Sequence, residues 1–294
     1  MSRERGPRLW WPGRPSRDLA AAAAGGFVFS VALGLASVVL PLLAVRSGYS
    51  GVAIGLLTAL SAVTQMASRM VLGPVMRVFP DWTLVLGACV TLALSSAAVA
   101  VSTALVPFAL AQALQGVSRA CFWTGSQTHV VRGDGPSVGA LAAVNLVSGV
   151  GLLLGPVAGG VIGEHSLRLA LVVGAGAALL GVVPAALLDR LPAFRPPADR
   201  VPGRLWRRPG VSSGCWAGMT AGAWRGLLGS YVPVALSAAR LSSTTIGTLV
   251  AVANAASLVG SAVVGRLRDT ALPRAFLVGT LAAGLATAGI AVAA

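Results

Sequence analysis

The sequence predicts an all-α integral membrane fold with about nine transmembrane helices. Three observations predict it. Hydrophobic residues make up 56% of the 294 positions and charged residues only 10%, whereas a soluble domain carries about 25% charged residues. Apolar runs long enough to span a hydrocarbon core, roughly 20 residues, recur between short polar breaks. Arginines alternate between successive breaks, as topology signals do.

The first run, 19–45, follows Arg3, Arg5, Arg8, Arg14 and Arg17 and the pair Trp10 and Trp11. It is too long for the core of a secretory signal and more spans follow, so it reads as an uncleaved helix. The second (51–73) and third (83–102) runs flank a short break holding Arg77 and, at its end, Asp81 and Trp82. The fourth, 105–130, carries Gln112, Gln115, Arg119, Trp123 and Ser126. That spacing puts them on one helix face, and such a stripe must face protein or water.

The fifth run, 137–161, contains Gly151, Gly155, Pro156, Gly159 and Gly160. Glycine and proline cost about 1 and 3 kcal/mol in a soluble helix, but a membrane bundle tolerates them, and small residues let another helix approach closely. The sixth run is 167–188. Asp189 to Gly210, rich in proline and arginine, reads as a solvated, lipid-facing linker. The remaining runs are 212–237, with Trp224, Arg225 and Tyr231, then 246–265, with Asn254, and 275–294. Gln65, Asn145, Tyr231 and Asn254 suit interhelical hydrogen bonding or cavity lining.

A net charge of +14 would suggest nucleic acid in a soluble protein; here, with no lysine, arginine maps topology. Arg132, Arg190, Arg195, Arg200, Arg204, Arg207, Arg208, Arg266, Arg268 and Arg274 join Arg77 and the N-terminal arginines before the first span or in every second break, and only Arg46, Arg168 and Arg240 occupy the others. The positive-inside rule therefore predicts a cytoplasmic N-terminus and linker. Trp10, Trp11, Trp82 and Trp206 sit at those margins as interfacial anchors.

Arg119 and Arg225 lie near the middle of their spans, where a charge costs about 2.5–3.5 kcal/mol. Each is a functional candidate, with structural pairing the alternative. The acids Glu4, Asp18, Asp81, Asp134, Glu164, Asp189, Asp199 and Asp269 fall in breaks or at span ends, so no carboxylate is expected inside the bundle to carry a proton. His129, at the end of the fourth span, and His165 read as ordinary interfacial histidines. Cys89, Cys121 and Cys215 form no C-x-x-C pair, so neither a disulfide framework nor a metal site is indicated. The absence of a phosphate loop or nucleophile elbow argues against an enzyme.

A shift of 192 positions lays Gly26, Gly34, Pro41, Gly55, Gly73 and Gly87 on Gly218, Gly226, Pro233, Gly247, Gly265 and Gly279. An even number of spans separates the copies, which implies a parallel repeat. The expected organisation is a six-helix half at 1–188, a linker at 189–211 and a partial second half at 212–294, C-terminally truncated by three helices.

The stretch Gly151-Leu-Leu-Leu-Gly155-Pro156-Val-Ala-Gly159-Gly160 resembles motif C of the major facilitator superfamily, G-x-x-x-G-P-x-x-G-G, found in the fifth helix of its drug/proton antiporter branch. Gly265-Arg-Leu-Arg-Asp269 resembles the superfamily's motif A. Its first copy, from Gly73, is degenerate, with Arg77 in place of the acid that helps latch the gate. Gln115-Gly116 matches part of motif B, with Gln112 where that motif has arginine.

The resemblance implies a twelve-helix transporter in the cell membrane, whose two halves rock about a midplane site. Helices 1, 4, 7 and 10 would line the cavity, which puts Gln112, Gln115, Arg119, Trp123, Trp224 and Arg225 at the substrate chamber. Gly73, Arg77, Gly265, Asp269 and the motif C residues would serve gating and packing. The implied activity is export of a small organic compound by antiport. The alternatives are organic-anion uptake or exchange using Arg119 and Arg225, and a non-transporting membrane fragment. The expected partners are membrane lipids, a small-molecule substrate and a coupling proton. No nucleic acid and no cofactor are expected, and the chain is expected to be a monomer.

Overall fold

Every apolar run from the first to the eighth winds into helix. The computed structural model describes residues 16–133, 137–195, 211–264, 277–279, 281–282 and 284–285. In chain order the helices are α1 (Arg17–Arg46), α2 (Gly51–Val75), α3 (Asp81–Val101), α4 (Leu105–Arg132), α5 (Ser137–His165), α6 (Leu167–Leu180), α7 (Val182–Leu187), α8 (Val211–Ala238) and α9 (Ser243–Val264). The ninth run lies mostly outside the described residues, and Gly265 and Asp269 lie wholly outside them.

The sixth run is broken where one helix was expected. Gly181 closes α6, with its N–H on the Ala177 and Ala178 carbonyls, and Pro184, which has no N–H to give, opens the short α7 beyond it. A side chain at Gly181 would come within 2.9 Å of Cys89 Sγ, so the break also seats the helix pair against α3. Elsewhere, serines placed just before helices cap them. Ser16, Ser50 and Ser166 accept from the N–H groups of Leu19, Ala53 and Leu169, satisfying donors the first turn cannot.

Helices α1, α2, α3, α5 and the α6–α7 pair are each long and apolar enough to cross a membrane. Helix α2 shows its apolar side chains outward, with Leu56, Val63, Met66 and Met70 all exposed. That pattern suits lipid as solvent and would be a liability in water.

Packing centres on α1 and α5. Two apolar clusters divide the bundle along its axis. The one toward the C-terminal end of α1 joins Leu35–Ala44 to Phe108, Leu167 and Leu171, and also takes in Ile246 and Val250 of α9. The one toward the N-terminal end of α1 joins Phe29, Cys89, Phe122 and Ala178, with Phe29 and Phe122 stacked 3.8 Å apart. Among the described residues, this second cluster contains nothing from α8 or α9.

Candidate functional site

Three features of α4 and α5 have chemical potential: a seam of missing side chains, a polar stripe and a buried charge cluster. In α5, Gly151, Gly155 and Gly159 recur every four residues and so share one face. A methyl group on them would strike Phe27 O, Val31 O and Leu35 O of α1, respectively. At Gly155 it would also lie 2.8 Å from the Leu35 amide and 2.9 Å from Gly34 Cα, so only glycine lets these backbones meet. Both series rise together, so α1 and α5 run in the same direction.

Gly160 lies on another face, against α9. A methyl there would meet Ser243 O and fall 3.1 Å from Thr244 Cα and 3.2 Å from Gly247 Cα. Further along, Gly149 abuts Leu258, so α9 runs opposite to α5. Pro156 joins the two faces. Its ring rests on Gly34, and its carbonyl oxygen would meet any side chain at Gly247. Because proline has no N–H, the carbonyl of Leu152, four residues earlier, has no helical donor. Asn254 Nδ2 of α9 donates to it at 3.3 Å. At the far end, Glu164 of α5 accepts from the Thr244 amide at 2.8 Å, capping the first turn of α9.

On α4 the stripe is packed inward. Gln112, Gln115 and Ser126 are buried. Arg119 Nη2 donates to Gln115 Oε1 at 2.8 Å, while Arg119 Nε, Gln115 Nε2 and Ser126 Oγ are buried with no hydrogen-bond partner. Arg119 pairs with no carboxylate among the described residues. Buried donors without acceptors are costly, about 1–3 kcal/mol each, and a ligand with acceptor oxygens would satisfy them. Trp123 packs edge-on against Phe29 and Phe122. Gly116 faces Ser61, Thr64 and Gln65 of α2. Across the bundle, Trp224 is half-buried and Arg225 exposed on α8. No hydrogen bond joins either to the α4 stripe among the described residues.

The residues expected at the gate stand apart likewise. A side chain at Gly73 would meet nothing within 4 Å, and Arg77 is exposed.

No spacing in the sequence reveals the third feature. His129, expected to be an ordinary interfacial residue, is fully buried between two carboxylates, its Nε2 2.9 Å from Asp18 Oδ1 and its Nδ1 3.5 Å from Asp81 Oδ2. Asp81 is buried too, so a carboxylate does lie inside the helix ends. It accepts both a 3.2 and a 3.1 Å bond from Arg132 Nη1. Arg132 Nη2 reaches the Pro192 carbonyl at 2.6 Å, Asp18 accepts from the Asp189 amide at 2.8 Å, and Arg190 lies 3.7 Å over the Trp82 ring. The cluster thus clamps α1, α3 and α4 to the chain after α7. Asp at the start of α1 and α3 and His and Arg at the end of α4 also complement the helix dipoles, the one sequence signal that could have revealed it. Arg69, absent from the topology pattern, is exposed on α2.

No group of three His, Cys, Asp or Glu side chains able to hold a metal occurs among the described residues. The family model described as Major Facilitator Superfamily matches residues 22–294. The comparison with curated proteins gave no match.

Proposed function

The chain belongs to the major facilitator superfamily, a family of membrane transporters, and from that premise we propose that it exports a small organic compound from the cytoplasm by alternating access, in exchange for protons. The N-terminus and the arginine-rich end of the bundle face the cytoplasm in this reading, following the positive-inside rule. The observation that carries it is the α5 seam, where one helix touches α1 through Gly151, Gly155 and Gly159 and α9 through Gly160. A seam of backbone contacts with few side chains to disengage suits a surface that must part and re-form. The sequence pattern of that seam resembles the antiporter motif. Reconstitution in vesicles tests the reading: export of candidate compounds should require an imposed proton gradient and stop on adding a protonophore. Export that ignores the gradient would remove the antiport assignment.

A second reading, exchange or uptake of an organic anion, is favoured by Arg119. Its charge lies beside Gln115 with unsatisfied donors and no described acid partner, and a guanidinium fork suits bidentate capture of carboxylate or phosphate. Arg225 would be recruited from α8 as the helices rearrange. Retained transport of acidic substrates by Arg119→Ala would dismiss it.

A further inference from the structure

At the arginine-rich end, Arg132, Pro192, Ala193, Phe194 and Arg195 line an open cavity of about 530 Å³. The chain after α7 reaches it because the Phe194 amide donates to the Met76 carbonyl at 2.8 Å. The residues that follow the two bonded ones are Arg77 and Arg195, and of these Arg195 lines the cavity. The nearby charges differ in how far they are already engaged. Arg132 is held by Asp81 and the Pro192 carbonyl and lies 5.9 Å over the Phe194 ring. Arg190 stacks on Trp82. Asp18 and Asp81 are taken up by His129 and Arg132, which among the described residues leaves Asp189 as an exposed acid at this end. Arg77 and Arg195 are both exposed, and neither side chain is bonded to another described residue.

Next to these arginines runs an apolar strip. Met70, Val71, Val78 and Phe79 are 72%, 57%, 71% and 54% exposed. Trp82, half-buried with a cation on its ring, marks the level of the headgroups. A free guanidinium lining a cavity, a second one residue from the bond that anchors the cavity's chain, and outward apolar side chains at the bilayer margin match a ligand with an anionic oxygen cluster joined to hydrocarbon. We propose that this cavity binds the phosphate of an anionic phospholipid, with Arg77 and Arg195 on its oxygens and an acyl chain along Val71, Val78 and Phe79. A soluble phosphate ester would share the oxygens but leave the strip unused. A zwitterionic lipid would bring its own cation toward two others.

Native mass spectrometry of the detergent-purified full chain, titrated with phosphatidylglycerol, phosphatidylcholine or glycerol phosphate, tests this. Each arginine is expected to contribute about fivefold. Phosphatidylglycerol should therefore bind more than tenfold tighter than phosphatidylcholine, and the Arg77→Gln/Arg195→Gln variant should lose that preference. Both side chains are exposed, so the variant should melt as the parent does. Equal binding of the two lipids, or an undiminished preference in the double variant, would overturn the proposal. So would displacement of phosphatidylglycerol by millimolar glycerol phosphate, which would assign the cavity to soluble phosphate esters.

Discussion

The two ends of the bundle are held together by different forces. At the arginine-rich end, described contacts run among α1, α3, α4 and the chain after α7, through one buried and one half-buried carboxylate, a buried imidazole and a guanidinium. At the other end, α1 and α5 hold α9 through glycine backbones, the apolar contacts of Ile246 and Val250, and the Glu164–Thr244 bond. Buried ion pairs hold their geometry tightly, because separating one leaves an uncompensated charge. Apolar and glycine contacts can part and re-form at lower cost. The difference teaches that ion pairs tie α1, α3 and α4 to the chain after α7 at the charged end, whereas α9 is held at the other end by contacts of the kind that can part.

Breaking the charged end should have the largest effect on stability. Removing one partner of a buried pair typically costs about 3–5 kcal/mol, so Asp81→Ala should markedly lower the melting temperature of the purified protein. A melting curve like the parent's would mean that the cluster is not holding these helices. Overpacking the seam comes next. Gly155→Leu forces a branched side chain against the backbones of Val31 and Leu35, at about 1–3 kcal/mol. Transport should collapse while membrane insertion persists, and undiminished transport would show that α1 and α5 need not touch there.

The seam was legible in the sequence and the charged cluster was not, for a physical reason. Close approach of two helices is written locally, in glycines four apart on a single helix, so Gly151, Gly155 and Gly159 announced it. The cluster draws Asp18, Asp81, His129 and Arg132 from three helices, and no spacing along the chain links them. Run length located the helices to within a few residues, but it read the sixth as continuous, because Gly181 and Pro184 sit in an apolar stretch that hydropathy alone cannot divide. Arg119 was found from its depth. Its bond to Gln115, one turn away, and its unsatisfied Nε both required coordinates.

Two smaller effects sharpen the contrast. Arg119→Lys keeps a charge but loses the planar fork, so a bidentately held anionic substrate should bind about tenfold more weakly, while melting should stay within a few degrees of the parent. Binding unchanged in a direct titration would return Arg119 to a structural role. Glu164→Gln keeps an acceptor for the Thr244 amide and loses only its charge. Exposed as it is, it should change transport rate less than about threefold. A larger loss would make the carboxylate itself part of the joint.

The central claim is that α5 and α9 must part at the Glu164 end in each cycle. A Cβ at Gly163 would stand 3.7 Å from Ser243 Cβ, close to the mean separation in disulfides, about 3.8 Å. In a chain with Cys89, Cys121 and Cys215 replaced, the pair Gly163→Cys and Ser243→Cys should cross-link under oxidation. Transport should then stop and return on reduction. Full transport by the cross-linked protein would contradict the claim and place the moving joint elsewhere.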